Sequence, residues 1–243
     1  MAWNGKDGET EHALERGFTI EVDGHAVPGV YWQPKQGTGD YLVLLGHGGG
    51  THKKVGYLLA MVELLAQRGI AALSIDGPGH GERVQQSRSQ KISDFAQVWH
   101  QAGGTEAVIN DWKAALDFVE AEQGARGTAW WGLSMGTMMG LPVTASDERI
   151  KLALFGLMGE WGPNQEDLVR LAPAVTCPVR FLVQWDDEVV PREACLALFN
   201  RLGSKTKTLH ANPGRHAAVP RFEMAASIAY LHERLDKYPP GSA

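Results

Sequence analysis

The stretch TAWWGLSMGTMMGLPVT, residues 128–144, decides the fold. It begins with Thr128–Trp131, an apolar run that predicts a buried strand, and it continues with a helical pattern over Met135–Thr144. Between them stands Gly132-Leu133-Ser134-Met135-Gly136, a G-x-S-x-G pattern typical of a strained turn that presents a nucleophilic serine. The flanking glycines let neighbouring backbones approach where a Cβ atom would clash. Because the chain has 29 glycines, an ordinary tight turn remains the alternative interpretation of this pattern alone.

Strand-like and helix-like segments alternate on both sides of this stretch. Phe18–Val22 and Val27–Trp32 flank an Asp-Gly turn signal and predict an opening hairpin. Further strands are predicted at Tyr41–Leu45, Ile70–Ile75, Ile150–Leu157, Val179–Gln184 and Lys205–His210, and further helices at Val55–Gln67, Thr105–Glu122, Glu193–Leu202 and Arg221–Leu235. This order predicts an α/β fold, with a mostly parallel eight-stranded sheet and helices on both faces. In such sheets, functional residues concentrate at the carboxyl ends of the strands.

Length and composition exclude several classes of protein. The chain has 243 residues, 44% of them hydrophobic, and a formal net charge of −5. This length fits one domain over residues 1–243, with short flexible termini at about 1–14 and 237–243. The mild acidity favours neither nucleic acid nor an anionic membrane as a partner, and no apolar run reaches the roughly 18 residues of a membrane span. We expect a cytoplasmic protein, and the sequence does not indicate its oligomeric state.

The two cysteines, Cys177 and Cys195, lie in apolar runs. They are too few for a disulfide framework and are typical of buried thiols in a reducing compartment. A single bridge between them stays open at this point.

A glycine-rich loop follows the strand predicted at Tyr41–Leu45. His47-Gly48-Gly49-Gly50 can point backbone N–H groups at a developing oxyanion, and the N–H of Met135 would be the second donor. A phosphate cradle is the rival interpretation, but the chain lacks the glycine spacings of the known phosphate-binding loops. We interpret His47 as a structural residue of this loop.

An acid and a histidine follow later strands. Asp186 and Asp187 come directly after Val179–Gln184, where a carboxylate can orient a histidine, although it can equally favour the N-terminus of the next helix. His216 lies in a turn-rich loop before the last helix. With Ser134, these residues occur in the order serine, aspartate, histidine, each at the carboxyl end of a strand. Such an order predicts nucleophilic catalysis by a Ser-His-Asp triad.

These motifs make the chain resemble the α/β-hydrolase superfamily over nearly its whole length. The segments LGHGGGTHKK (45–54) and DGPGHGER (76–83) especially resemble bacterial esterases and dienelactone-hydrolase-like enzymes. The resemblance implies Asp187 as the triad acid, because the family's acid usually stands four residues before a proline, here Pro191; Asp186 is the fallback. It also implies that Asp76 and His80 shape their loop without taking part in the chemistry.

Position 134 distinguishes among members of this superfamily. Dienelactone hydrolases proper use a cysteine there, and the related dehalogenases and epoxide hydrolases use an aspartate. The serine therefore predicts a hydrolase that cleaves carboxylic esters of small to medium substrates through an acyl-enzyme. Gly48 or Gly49 would form the oxyanion hole with Met135, and we expect no metal and no organic cofactor. A thioesterase, a C–C bond hydrolase or a non-catalytic binding protein of the same fold are the alternatives.

The expected partner is a small-molecule ester, bound in a site with a minimal lid. Only the short segments Glu82–Gly103 and Met158–Thr176 are available to cover the site. Met158, Trp161 and Trp185 are candidates for lining an apolar substrate pocket, and core packing is the equally open alternative for these side chains.

Overall fold

The computed structural model describes residues 2–84, 92–124 and 126–238. Its strands are β1 (Ala2–Glu9), β2 (Ala13–Val22), β3 (His25–Pro34), β4 (Tyr41–Gly46), β5 (Ala71–Ile75), β6 (Gly127–Gly132), β7 (Ile150–Gly156), β8 (Val179–Gln184) and β9 (Lys207–Asn212). Its helices are α1 (Gly56–Ala66), α2 (Ile92–Gln101), α3 (Gly104–Gln123), α4 (Met135–Ser146), α5 (Gln165–Leu171), α6 (Arg192–Arg201) and α7 (Arg221–Leu235).

The nine described strands form one sheet in the order β1-β2-β3-β5-β4-β6-β7-β8-β9. The pairs β1–β2, β2–β3 and β3–β5 are antiparallel, and the other five pairs are parallel, which confirms the mostly parallel α/β sheet. In the centre, β4 and β6 pair so that Gly46 lies opposite Gly132. The loops that follow these two strands therefore leave the sheet side by side at its carboxyl edge.

The sequence predicted eight strands and a flexible segment over about residues 1–14, whereas the described residues contain nine strands, the first of them inside that segment. Ala2–Glu9 forms the edge strand β1, which pairs with β2. One side chain anchors it: Trp3 packs against Phe18 and Phe118, with ring centroids 6.0 and 5.0 Å apart, and the guanidinium of Arg16 lies 3.8 Å from its ring. At the other end, residues 239–243 of the second expected flexible segment lie outside the described range.

Helices cover both faces of the sheet, as predicted. Consecutive side chains of the central strands alternate between two core clusters, so that Leu44 and Trp130 face one layer and Val43 and Trp131 face the other. The first layer contains α3, α4 and α6, and the second contains α1 and α7. Within the described residues, none of the helices has the length and apolar character needed to cross a membrane.

The two segments predicted as a minimal lid are short. Met158–Thr176 contains α5 and one 3₁₀ turn, as expected of a loop with a short helix. Glu82–Gly103 contains α2, while its polar stretch at residues 85–91 lies outside the described residues. Cys177 and Cys195 are both free thiols, and burial raises the pKa of each to about 12.

Candidate active site

Ser134 stands on a strained turn between β6 and α4. Its backbone has a φ of 57° and a ψ of −121°, a region that residues with a Cβ atom rarely adopt. The turn is tight because the adjoining backbones touch: a Cβ atom on Gly136 would overlap the carbonyl oxygen of Gly46. The serine thus sits at the N-terminus of α4, directly beside the end of β4.

Hydrogen bonds to the end of β7 hold this turn in place. The N–H of Ser134 donates to the carbonyl oxygen of Gly156 at 2.8 Å. The hydroxyl of Thr137 lies 2.7 Å from the same oxygen and accepts the N–H of Gly156 at 2.8 Å. The strained backbone of Ser134 is therefore held by buried contacts with the ends of two neighbouring strands, β4 and β7.

His216 lies between Ser134 and Asp187. Its Nε2 is 2.9 Å from the Oγ of Ser134, and its Nδ1 is 2.7 Å from the Oδ2 of Asp187. The imidazole side chain is largely buried, and the Asp187 side chain is only 1% exposed. Because a carboxylate only accepts hydrogen bonds, this geometry assigns the proton to Nδ1 and leaves the Nε2 lone pair facing the serine hydroxyl. The structure therefore brings together the three residues that the sequence predicted.

The structure distinguishes between the two adjacent aspartates. Asp187 places its Oδ1 against the N–H groups of Val189 and Val190, at 2.8 and 2.9 Å, and turns Oδ2 toward the histidine. Asp186 is exposed, and its Oδ2 accepts the N–H of Gly214 at 3.1 Å. Asp186 therefore supports the loop that carries His216, whereas Asp187 contacts the imidazole itself.

Glu188 has a role in the same loop that the sequence did not indicate. Its Oε2 accepts the backbone N–H of His216 at 2.9 Å, and its Oε1 lies 3.2 Å from the Nε of Arg215. The hydrogen bond from His216 holds the pKa of the Glu188 carboxyl below its usual value. Three consecutive acidic residues after β8 thus contact the histidine loop in three different ways.

In the glycine loop after β4, the N–H groups of Gly48 and Gly50 have acceptors, whereas that of Gly49 is free. The N–H of Gly48 donates to the hydroxyl of Tyr57 at 2.6 Å. Gly49 N–H and Met135 N–H have no hydrogen-bond acceptor among the described residues. The sequence predicted Gly48 or Gly49 as an oxyanion donor, and of these two only Gly49 has an N–H without an acceptor among the described residues.

Two buried histidines tie this loop to the segment after β5. The Nε2 of His47 accepts the N–H of Gly77, and the Nε2 of His80 accepts the N–H of Gly50, both at 2.9 Å. Burial lowers the pKa of His47 to about 4 and also lowers the pKa of His80, so both rings are neutral and can accept these bonds. This agrees with a structural role for His47 and His80.

Asp76 and Lys53 form a buried ion pair beneath the same loop. The Lys53 Nζ lies 2.6 Å from Oδ2 of Asp76, and the backbone N–H of Lys53 donates to Oδ1 at 2.9 Å. Burial alone would raise the pKa of Asp76, but the hydrogen bonds from Lys53 and from the N–H of Glu82 hold it below its usual value. Because its ammonium group is paired with the carboxylates of Asp76 and Glu82, Lys53 is not available to attract a negatively charged substrate.

The three residues predicted to line the substrate pocket differ in exposure. Trp161, which follows β7, is 46% exposed, and Trp185, which follows β8, is 47% exposed. Arg192 covers one face of the Trp185 ring, with its guanidinium 4.3 Å from the ring centroid. Met158 is buried in the core cluster on the α4 side of the sheet. Two surface cavities of ≈380 and ≈530 Å³ lie elsewhere, since none of these residues lines them.

One group of described side chains has the composition of a metal site. Glu11, His12 and Glu63 place one ligand atom each within 4.8 Å of one another. The Nδ1 of His12 lies 2.7 Å from Oε2 of Glu63, so a direct contact between these two side chains explains their proximity without a metal ion. Glu11 and His12 lie in the turn between β1 and β2, and Glu63 lies on α1, so none of them belongs to the loops that carry Ser134 or His216.

Known proteins match this chain over almost its full length. A PEG-bound complex of a cold-adapted esterase from an Arctic intertidal metagenomic library is 62% identical, with a TM-score of 0.91 over 96% of this chain and 99% of that one. A zinc-bound structure of a cold-adapted esterase from such a library is 59% identical, with a TM-score of 0.86 over 97% of this chain and 100% of that one. An acetyl xylan esterase from Paenibacillus sp. R4 shares the fold at 21% identity, with a TM-score of 0.72 over 96% of this chain and 87% of that one.

A search of curated proteins found no significant match. A family model described as the alpha/beta hydrolase family matches residues 42–240. The matched region contains every residue of the site described above, from the glycine loop to the histidine. The chain belongs to the alpha/beta hydrolase family.

Proposed function

We propose that this protein is a carboxylic ester hydrolase in which Ser134, His216 and Asp187 act as a catalytic triad. The observation that carries the proposal is the continuous hydrogen-bonded chain from the serine through the imidazole to the buried carboxylate. The full-length similarity to proteins described as esterases, at 57–62% identity, supports an ester as the substrate.

The first chemical step forms an acyl-enzyme. The Oγ of Ser134 attacks the ester carbonyl carbon while Nε2 of His216 takes the serine proton. The carboxylate of Asp187 stabilises the imidazolium, and the imidazolium then gives its proton to the alcohol that leaves. In the second step, water attacks the acyl carbon with the same imidazole as base, which releases the acid and restores the serine.

The oxyanion of each tetrahedral intermediate needs hydrogen-bond donors. Gly49 N–H and Met135 N–H are free to serve, and Met135 also lies at the N-terminus of α4, where the helix dipole favours negative charge. One such donor contributes about 3–4 kcal/mol to transition-state stabilisation in comparable enzymes.

Esters of small to medium size fit the surroundings of the triad best. The segment between β7 and β8 contributes only α5 and a 3₁₀ turn over the sheet, so a long acyl chain would find little apolar cover. Trp161 and Trp185 are half exposed and, with the buried Met158, would pack against the substrate. The free thiols of Cys177 and Cys195 agree with a cytoplasmic location.

Covalent labelling tests this proposal. A serine-directed fluorophosphonate, followed by peptide mapping, should label Ser134 in the wild type and nothing in Ser134→Ala. Ser146→Ala changes an exposed serine at the other end of α4 and is the matched control, which should label like the wild type. Labelling at another serine, or no labelling of the wild type, contradicts the mechanism.

A substrate series then identifies the bond that is cleaved. We expect p-nitrophenyl esters of two to four acyl carbons to give the highest kcat/KM, and matched thioesters to be poorer substrates. A preference for thioesters, or for long acyl chains, would contradict the proposed substrate class.

A further inference from the structure

The glycine loop that would bind the oxyanion has little rigidity of its own. Gly48, Gly49 and Gly50 are consecutive, and ideal Cβ atoms on Gly49 and Gly50 would meet nothing within 4 Å. Glycine loses more backbone freedom on ordering than any other residue. A fixed orientation of this loop therefore has to be imposed by side chains around it.

Side chains hold the Gly48 carbonyl from one side. Its oxygen accepts the hydroxyl of Thr51 at 2.7 Å and the Nδ1–H of His47 at 2.9 Å. The peptide between Gly48 and Gly49 is planar and trans, so its N–H, which belongs to Gly49, points in the opposite direction. Fixing the Gly48 carbonyl therefore fixes the direction of the Gly49 N–H.

Tyr57 holds the same residue at its N–H. The tyrosine lies in the first turn of α1, and its hydroxyl accepts the Gly48 N–H at 2.6 Å. Gly48 is thus held at its N–H by Tyr57 and at its carbonyl by Thr51, and its N–H is unavailable to a substrate.

We propose that Tyr57 and Thr51 are positioning residues that make Gly49 N–H, and not Gly48 N–H, the loop's oxyanion donor. This inference rests on the proposed ester hydrolysis and goes beyond it, because neither side chain touches the reacting atoms. Oriented donors act only in the transition state, where charge develops on the carbonyl oxygen. Loss of either hydroxyl should therefore lower kcat and leave KM nearly unchanged.

Paired substitutions test this inference through kinetics. Tyr57→Phe should lower kcat for a p-nitrophenyl ester about 10-fold with KM within about twofold, the scale expected when a catalytic donor is misplaced. Tyr41→Phe, at the opposite end of β4, removes another partly buried hydroxyl and should match the wild type. Thr51→Val should resemble Tyr57→Phe, and Thr51→Ser should recover most of the activity because it keeps the hydroxyl.

A transition-state analogue separates this role from general loosening of the site. A trifluoromethyl ketone forms a bond from its carbonyl carbon to the Ser134 oxygen, its own oxygen becomes negative, and the serine proton goes to His216. Its affinity should fall by the same factor as kcat in Tyr57→Phe. Unchanged kcat and inhibitor affinity in Tyr57→Phe would overturn the proposal, as would a rise in KM without a fall in kcat.

Hydrogen exchange tests the positioning independently of activity. In protein labelled with ¹⁵N-glycine, the Gly48 amide should exchange markedly faster in Tyr57→Phe than in the wild type or in Tyr41→Phe. If the wild type neither reacts with the fluorophosphonate nor cleaves esters, the proposed function fails, and the exchange rates still decide whether Tyr57 holds Gly48. Equal exchange in all three proteins would overturn the inference even in an active enzyme.

Discussion

Replacing Asp187 with asparagine tests the proposed triad at the carboxylate, because both of its oxygens have defined hydrogen-bond partners. The Oδ1 of Asp187 faces two N–H donors, those of Val189 and Val190, while Oδ2 faces Nδ1 of His216. An asparagine has one oxygen and one NH₂ group. Its oxygen must take the position between the two N–H donors, because an NH₂ group there would meet two other donors. The NH₂ group then faces the histidine.

The consequence is a change of tautomer. An NH₂ group can only donate, so Nδ1 of His216 must lose its proton and accept, and the ring proton moves to Nε2. Nε2 then faces the Ser134 hydroxyl as a donor and cannot take the serine proton. We expect kcat/KM to fall about 10⁴-fold, which corresponds to about 5 kcal/mol of transition-state stabilisation.

Asp186→Asn is the matched control for this experiment. Its Oδ2 accepts one N–H from Gly214 in an exposed position, and the amide oxygen of asparagine can replace that bond. We expect less than about a tenfold loss of kcat/KM with p-nitrophenyl acetate, and a thermal melt should show both variants folded. The reasoning is refuted if Asp186→Asn is the more damaged variant, or if Asp187→Asn retains a tenth of the wild-type activity.

Three further comparisons of variants test the strain, the packing and the titration of the site. Ser134→Gly should unfold at a temperature about 2–4 °C above Ser134→Ala, because glycine relieves roughly 1 kcal/mol of strain at a φ of 57°; equal melting temperatures would contradict the strain. Gly136→Ala should cost about 2 kcal/mol of stability and most of the activity, because its Cβ would overlap Gly46, while Gly49→Ala, with open space around it, should keep wild-type stability in denaturant titrations. His47 has a native pKa of about 4 against a usual 6.5, so the unfolded chain binds its proton first and stability falls as the pH drops through this window. The unfolding free energy of the wild type should therefore fall by about 2–3 kcal/mol more than that of His47→Asn between pH 7 and 4.5, and equal slopes would disprove the assignment.

Most of the fold could be predicted because its signals are local. Continuous apolar runs such as Tyr41–Gly46 belong to strands buried on both faces, and each is bounded by glycine or turn residues. The strand–turn–helix around Ser134 was predictable for the same reason, since a nucleophile at this turn requires glycines at fixed spacing. The α/β fold and its mostly parallel sheet are confirmed.

The edge strand β1 could not be predicted from its own residues. AWNGKDGE has one large apolar side chain, that of Trp3, and no alternation of apolar and polar positions. Its order comes from pairing with β2 and from the contacts of Trp3 with Phe18 and Phe118, which lie far along the chain. A strand held by one anchor at a sheet edge carries no periodic signal.

The details of the site depended on contacts that sequence spacing does not encode. Asp186 and Asp187 are adjacent residues of the same type, so the sequence alone does not distinguish them. The choice between them depends on which carboxylate reaches His216. Tyr57 gave no functional signal, because an aromatic residue in the first turn of a helix is usually a packing residue. Its role depends on a backbone N–H nine residues earlier, at Gly48.

The two halves of the site differ in how firmly the fold holds them. Ser134 and the glycine loop proposed to bind the oxyanion leave adjacent central strands in fixed register, Gly46 beside Gly132, and buried backbone contact joins them through Gly136. His216, in contrast, lies on a loop whose backbone N–H groups donate exposed hydrogen bonds to the carboxylates of Asp186 and Glu188. Displacing the histidine breaks these exposed bonds, the 2.7 Å contact with the buried Asp187 carboxylate and the part-buried bond from Gln184 to the Arg215 carbonyl. Separating Ser134 from the proposed oxyanion donors requires buried backbone contacts between central strands to open. The alignment of His216 is therefore the part of the site that local unfolding would disturb first.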